Sequence, residues 1–311
     1  MSVPLGRLWG PADVLAQFLL QAALLLTLVL AAALLGRRRT PAALAAAALL
    51  AALVWIGPPH GLREASHTAG EGDVLRVLVA NLHGSTGIPP IADLHAWLEA
   101  SDADVVLLNE AAESVHRGLA AIATTFPHSA YCTGQLHCET LILSRRPLHA
   151  VAYHVSGRYG GKVMFAGVDV AGKRLNLALT HVMRPVPHGS PYRNFEQSRF
   201  VADMTTTRRR VVLAGDFNAV PWGRVLTMFE RHAGLRGATL WQGTWPTWLP
   251  SPLRIHIDHV LVGCGVELRA LRPLRFPRSD HLAVLASVAP SDDVDCEAEF
   301  RPPRSPGAGG R

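Results

Sequence analysis

The sequence predicts a mixed α/β domain of the α+β kind, two packed β-sheets with helices outside them, preceded by an N-terminal transmembrane helical hairpin. Three observations lead there. Short β-rich runs alternate with helical or loop segments between residues 73 and 289, two of those runs are joined by a tight hairpin signal, and the first sixty residues are nearly uncharged and rich in Leu and Ala.

The N-terminal segment comes first. Residues 14–35 carry no charged side chain, and residues 41–57 are equally uncharged. Crossing a hydrocarbon core of about 30 Å takes roughly 20 helical residues, so both stretches are read as spans. Between them stands Gly36-Arg-Arg-Arg-Thr40, a connection whose three arginines place it on the cytoplasmic side. Such a hairpin leaves both the N-terminus and everything after residue 57 on the outer face of a cell membrane. A cleaved secretory signal is the competing reading, but the apolar stretch is longer than a usual signal core and no strongly basic segment leads it. Residues 1–57 are thus expected to be a multi-pass anchor with an extracytoplasmic domain behind it.

Residues 58–72 have the Pro, Gly and polar character of a linker. Residues 290–311 hold too few apolar side chains to pack and are expected to be disordered. The domain itself therefore spans 73–289. Strands are expected at Val74–Ala80, Val105–Leu108, Leu141–Leu143, Val163–Val170, Leu175–Thr180, Val211–Ala214, Ile257–Val262 and Leu282–Val288. VMFAGVDV and RLNLALT flank Ala-Gly-Lys, a good hairpin turn. Helices are expected at Ile91–Ala100, at Asn194–Arg208, and in short form near Trp222–Arg231. Hairpins with few regular βαβ units favour two packed sheets over a doubly wound parallel sheet.

The formal charge of +6 does not make this a polyanion binder. Residues 1–63 hold five Arg and one Asp, which leaves 25 basic and 23 acidic residues for the rest. The excess belongs mostly to the hairpin, and the domain has no strong electrostatic footprint for nucleic acid. Four cysteines are present, and Cys132 and Cys138 lie close together in YCTGQLHCET. A short disulfide loop and two reduced thiols are both compatible with that spacing.

Chemistry-bearing residues fall where the apolar runs stop. VLVA is followed by Asn81, VVLLN by Glu110, LALT by His181, VVLAG by Asp216 and Asn218, IHI by Asp258 and His259, and PRS by Asp280 and His281. Strand ends on one rim of a sandwich bring residues distant in sequence into one pocket. Oxygen donors of this kind suit Mg²⁺ or Mn²⁺, and a His–Asp pair with a further Asp suits proton transfer and water activation. Any one of these residues alone is more often a turn former or a cap; the ordered series carries the reading.

RVLVAN, LLNE, LTH, GDFN, IDHVL and SDH, in this order, resemble the endonuclease/exonuclease/phosphatase (DNase I-like) superfamily, in particular its membrane-anchored bacterial type. The resemblance runs from Arg76 to the strand after His281, and the 64 residues from Asp216 to Asp280 fit it. It implies a four-layered α/β/β/α sandwich. It also implies Glu110, Asn81 and Asp280 as metal-linked residues, Asp216 as the residue that prepares the attacking water, and Asn218 and His281 as phosphate contacts. Asp258 would orient His281, and His181 would serve as general acid. Two departures stand out. Asn109 precedes Glu110 where the family often has Gln, and Leu82-His83 follows Asn81 where abasic-site enzymes carry an Asp. Arg193 and Gln197, which recur in related membrane-anchored members, would share one helix face at this spacing, and surface solvation is their alternative role.

The resulting expectation is a membrane-anchored, Mg²⁺- or Mn²⁺-dependent phosphoester hydrolase that works by metal-assisted in-line attack of water. Its partners would be the membrane and a phosphoester, nucleic acid or phospholipid head group, with no protein partner. The alternative is a nonenzymatic ligand-binding or sensing membrane protein that retains the fold. The loops Tyr153–Lys162 and Arg236–Arg254 carry no readable substrate code. The tryptophans of the second, Trp241, Trp245 and Trp248, could pack, grip a lipid surface or stack a base.

Overall fold

The computed structural model describes residues 10–57, 73–82, 90–111, 113–132, 139–186, 189–276 and 278–291. The expected linker at 58–72, the expected tail beyond Ser291, and Cys138 lie outside the described residues. Cys132 and Cys264 are both disulfide-bonded.

Among the described residues, three helices come first: α1 (Gly10–Ala16), α2 (Leu19–Leu35) and α3 (Arg39–Ile56). The domain then runs β1 (Leu75–Asn81), α4 (Ile91–Ala100), β2 (Val105–Asn109), α5 (Glu113–Arg117), α6 (Leu119–Ile122), β3 (His128–Tyr131), β4 (Leu141–Ser144), β5 (His149–Val155), β6 (Lys162–Val170) and β7 (Lys173–His181). It continues with α7 (Pro191–Thr206), β8 (Val211–Asp216), α8 (Arg224–Ala233), β9 (Arg236–Gly237), β10 (Asp258–Val262), β11 (Val266–Arg275) and β12 (Leu282–Pro290).

The strands form two six-stranded sheets, ordered β11-β12-β1-β2-β4-β3 and β5-β6-β7-β8-β10-β9. Strand parity decides what each side chain meets, because successive side chains point to opposite faces. In β1, Leu75, Val77 and Val79 join Val105 and Leu107 of β2 in a core shared with Leu175, Leu177 and Leu179 of β7, Val212 and Ala214 of β8, and Val260 of β10. This core lies between the sheets. The alternate residues Leu78, Ala80, Val106 and Leu108 pack against Leu94 and Leu98 of α4. On the other sheet, Val211 and Leu213 pack against Val201 of α7 and Phe229 of α8. Both faces of each central strand are therefore buried, which is why these strands read as unbroken apolar runs.

Each sheet contains one parallel pair, β1 with β2 and β7 with β8. Parallel strands end at the same rim. In register, Asn81 stands opposite Asn109 and His181 opposite Asp216, while antiparallel β10 begins with Asp258 opposite Asp216. Asn81, Asn109, His181, Asp216 and Asp258 all carry the parity of the inter-sheet core, so that core ends in a polar cap at one rim.

Four strands were not expected: β3, β5, β9 and β11. β11 pairs only with β12, and its sequence VELRALRPLR carries three arginines and a proline, the composition of a protected edge strand and not of a central one. Helix α7 begins three residues earlier than expected. The Ser190 hydroxyl accepts a hydrogen bond from Arg193 N and Pro191 sits in the first turn, a start that needs no apolar periodicity.

At the N-terminus the expected single span 14–35 is broken at Gln17-Phe18, between α1 and α2. Among the described residues one helix, α3, is long and apolar enough to cross a membrane, with 18 residues; α2 is apolar but shorter at 17 residues. The two pack on alanines. Ala23 and Ala33 of α2 and Ala42, Ala45 and Ala52 of α3 are buried, whereas Leu25, Leu28, Leu35, Leu44, Leu50 and Val54 are exposed.

Candidate active site

The rim begins with a backbone constraint. Gly215 has φ +148°, and a Cβ there would lie 1.8 Å from the Thr180 carbonyl oxygen, so only glycine lets β8 approach β7 closely before the chain turns to present Asp216. Two other rim residues hold positive φ without being glycine, Glu110 at +53° and Asn218 at +47°. Strained backbone of this kind persists where surrounding contacts fix it and is concentrated at functional sites.

Asn81 links the sheets. Its Nδ2 donates to Glu110 Oε1 at 3.0 Å and to Asp216 Oδ2 at 3.1 Å. Asp216 Oδ1 accepts from Asn218 N at 2.8 Å, so both oxygens of this buried carboxylate are oriented. Two imidazoles flank it: His181 Nε2 lies 3.7 Å from Glu110 Oε1 and 3.8 Å from Asp216 Oδ2, and His281 Nε2 lies 3.9 Å from Asp216 Oδ2. His281 Nδ1 donates to Asp258 Oδ2 at 2.9 Å, which aims Nε2 at the other carboxylates. Asp280 closes the ring, with Oδ1 3.8 Å from His281 Nε2 and Oδ2 accepting from Trp245 Nε1 at 2.9 Å.

The electrostatics follow from crowding charges out of water. Burial, then the Asp258 charge, push the Asp216 carboxyl up to about 6, against the pull of His281, His181 and the Asn218 N–H. Burial alone would lower His281; the Asp258 charge and hydrogen bond, with Asp216 and Asp280, outweigh it and lift His281 to about 10. It is an imidazolium at neutral pH. Behind Asp258 lie two histidines of opposite character. Burial holds His259 down at about 4, its Nε2 donating to Ala219 O at 2.7 Å. Burial and neighbouring His259 hold His256 well below 6.5. Its Nδ1 accepts from Leu240 N, so its proton is on Nε2, facing Asp258 O at 3.0 Å. These two are neutral packing groups, and His259 is not part of the reactive face.

All eight expected site residues, Asn81, Glu110, His181, Asp216, Asn218, Asp258, Asp280 and His281, stand at this rim. Asn218 differs in detail: its Nδ2 donates to Val182 O at 2.9 Å, which commits one of its two N–H groups to holding the loop after β7. Asn109 likewise spends Nδ2 on Thr180 O at 2.9 Å, a tie from β2 to β7 within reach of an amide shorter than Gln.

Supporting residues with no signal in the strand-end pattern complete the site. Asn194 Nδ2 donates to Met183 O at 2.7 Å and Phe217 O at 3.1 Å. Gln197 accepts from Met183 N and donates to Tyr159 O, both at 2.7 Å. They brace the loops after His181 and Asp216. Gln197 is buried while Arg193, one turn earlier, is exposed, so the two differ in role. The Thr244 hydroxyl accepts from Ile257 N and Asp258 N, and Ser279 Oγ donates to Asn81 O while accepting from His281 N.

Glu110 and Asp280, both partly exposed, and buried Asn81 offer hard oxygen donors at the rim, a donor set that fits a divalent cation. Asp216, Asp258 and His281 also offer ligand atoms within 4.8 Å of one another, a set that could hold a metal ion. His281 and Asp258 already satisfy each other as a charged pair, so the oxygen set suits the ion better.

Two sheets meeting at a rim of paired acids, amides and histidines form a polar site with residues that could hold a metal ion. The chain belongs to the Endonuclease/Exonuclease/phosphatase family, which it matches over residues 78–281. Membership points to phosphoesterase or nuclease chemistry, and the family is generally divalent-metal dependent. No curated protein matches the chain. Among solved structures, it is similar to an endonuclease/exonuclease/phosphatase from Beutenbergia cavernae DSM 12333, with 22% identity, a TM-score of 0.56, and coverage of 70% of this chain and 72% of that one. It is also similar to D. rerio TDP2 complexed with single strand DNA product, with 18% identity, a TM-score of 0.57, and coverage of 69% and 98%. The human Nocturnin catalytic domain with bound sulfate anion gives 14% identity, a TM-score of 0.55, and coverage of 70% and 95%. At these identities the likeness is one of fold.

Proposed function

We propose that the protein is a membrane-anchored phosphoester hydrolase dependent on Mg²⁺ or Mn²⁺, with residues 1–57 as a two-helix anchor, 73–289 as the catalytic domain, and that domain on the extracytoplasmic side. The observation that carries the chemistry is Asp216: a buried carboxylate with both oxygens oriented, raised to about 6, faces two imidazoles at 3.8 and 3.9 Å.

Asp216 takes the proton of the attacking water. Asn81 and Asn218 N fix its direction. His281, kept cationic by Asp258, clamps a phosphoryl oxygen and offsets negative charge as it grows. His181, between Glu110 and Asp216, gives a proton to the leaving alkoxide. Glu110, Asn81 and Asp280 would hold the divalent ion, which supplies polarisation of the phosphoryl oxygens when bound. The anchor is supported by α3 and by a helix pair that turns alanines inward and leucines outward, the reverse of a soluble helix pair.

Purified full-length protein in detergent should hydrolyse bis-p-nitrophenyl phosphate with added Mg²⁺ or Mn²⁺ and lose that turnover with EDTA. Failure to hydrolyse any of a broad phosphoester panel with metal present would sink the enzyme reading in favour of a ligand-binding one. A reporter fused after Gly61 that is active in the cytoplasm would overturn the orientation.

A further inference from the structure

The hairpin does more than tether the domain. Both rim loops of the site are pinned to its base. On one side, Gln17 Nε2 donates to Asn218 O at 3.3 Å, Trp222 Nε1 to Ala16 O at 2.6 Å, and Arg224 N to Asp13 Oδ1 at 2.8 Å. On the other, Gln21 Nε2 donates to Arg254 O at 3.0 Å, at the end of a loop whose middle holds Asp280 through Trp245 Nε1 and, through Thr247 N, the Asp280 carbonyl. An apolar cluster of Ala16, Ile56, Val220, Trp222, Ile255 and Ile257 seals the junction, with Leu19, Leu20, Trp55 and Trp245 packed around it. The two ends of the hairpin that join the domain are thus one body with the active-site rim, and its arginine turn lies one helix length away, about 25 Å for 17 residues.

Around this junction large apolar side chains point outward. Phe18 at the base of α2 is 50% exposed, and in the loop from Leu240 to Arg254 Trp248 is 73% and Leu253 46% exposed. An exposed tryptophan on a loop beside an outward-facing apolar helix pair suits a membrane interface, where its apolar ring and polar N–H match the head-group level. The turn Ser251–Leu253 of this loop lies against α2, so a bilayer that takes the hairpin also reaches the loop.

We infer that the site takes the phosphodiester of a membrane lipid, presented by the bilayer in which the hairpin sits, with the Trp241–Leu253 loop seated in the head-group layer. This rests on the phosphoester-hydrolase reading above and adds the substrate class. The loops that carry Asn218 and hold Asp280 are tied to the base of the anchor, which brings the rim to the level of head-group phosphates, while a long nucleic acid meets a near-neutral domain. The bond that forms joins the water oxygen to phosphorus, and the bond that breaks joins phosphorus to one ester oxygen. Asp216 takes the water proton and His181 supplies the proton to the departing alkoxide, so nothing is oxidised or reduced.

The test uses full-length protein reconstituted into vesicles of phosphatidylcholine, phosphatidylglycerol and sphingomyelin, with Mg²⁺. Release of water-soluble head group is read beside turnover of bis-p-nitrophenyl phosphate and of single-stranded DNA. Vesicle lipid should be cleaved, and Trp248→Ser should lower that rate about tenfold while leaving bis-p-nitrophenyl phosphate turnover unchanged, because an interfacial contact changes access and not chemistry. Brominated lipids should quench wild-type tryptophan fluorescence more than that of Trp248→Phe. Turnover of the soluble diester without release from vesicles, a preference for single-stranded DNA, or equal quenching in the two proteins overturns the lipid inference and leaves the hydrolase reading standing. Turnover of none of the three substrates overturns the hydrolase reading, and the lipid assignment with it.

Discussion

The rim of the sandwich and the N-terminal hairpin break the rule of apolar inside and polar outside in opposite directions. At the rim, Asn81, Asp216, Asp258 and His281 are buried polar groups, each tied to another by a named hydrogen bond. On the hairpin, leucines of α2 and α3 are exposed while alanines fill the interface. A buried charge is tolerated only when paired, and an exposed apolar surface of this extent signals a partner that covers it. Departures from local rules of this kind are where function is expected.

Removing the paired acid breaks the first half of that contrast most severely. Asp216→Ala should lower phosphodiester turnover about a thousandfold, as expected for loss of a positioned proton acceptor, with secondary structure retained by circular dichroism. A residual rate near wild type would leave the rim as an unusually polar piece of core. Next comes the partner of the buried cation. Asp258→Ala leaves His281 buried without its counter-charge and should destabilise the domain by about 3 kcal/mol in denaturant unfolding.

The same pair sharpens the comparison through pH. His281 has a folded value of about 10, above the unfolded value near 6.5. Its contribution to stability is therefore fully present below about pH 6.5 and is lost as pH rises through about 10. Thermal unfolding of wild type and His281→Gln, compared across pH 6 to 11 without metal, should converge toward the alkaline end; a constant gap would contradict the charged pair.

The smallest effect lies where the two regions meet. Gly223 gives α8 no side-chain cap, and Asp13 of α1 reaches across to accept from Arg224 N. An acid at a helix N-terminus satisfies an orphan donor and the helix dipole. Asp13→Ala should cost about 1 kcal/mol in stability measured in detergent, with little change in turnover of a soluble diester.

The rim was legible in the sequence because each reactive residue stands at or beside the end of an apolar strand: parity carries Asn81, His181, Asp216 and Asp258 to the inter-sheet face, and Glu110, Asn218, Asp280 and His281 flank strand ends. What supports the rim was not. Asn194 and Gln197 sit on a helix whose polar face looks solvated until the loops after β7 and β8 are folded over it. The exposed edge strand β11 was hidden by Arg269, Arg272, Pro273 and Arg275, which interrupt alternation without preventing pairing at an edge. The break at Gln17-Phe18 has no helix-breaking residue; it coincides with side-chain and backbone bonds to Asn218 and Trp222 that no local pattern encodes. Local chemistry announces itself at strand ends, whereas braces between distant segments appear only in three dimensions.

The most direct measurement is the metal dependence of diester turnover in Glu110→Gln and Asp216→Asn beside wild type. Glu110→Gln should raise the Mg²⁺ or Mn²⁺ concentration needed for half-maximal rate and recover part of the rate at high metal. Asp216→Asn should lower the rate at saturating metal. Equal rates at saturating metal in Asp216→Asn and wild type would contradict the assignment of this rim as the catalytic site.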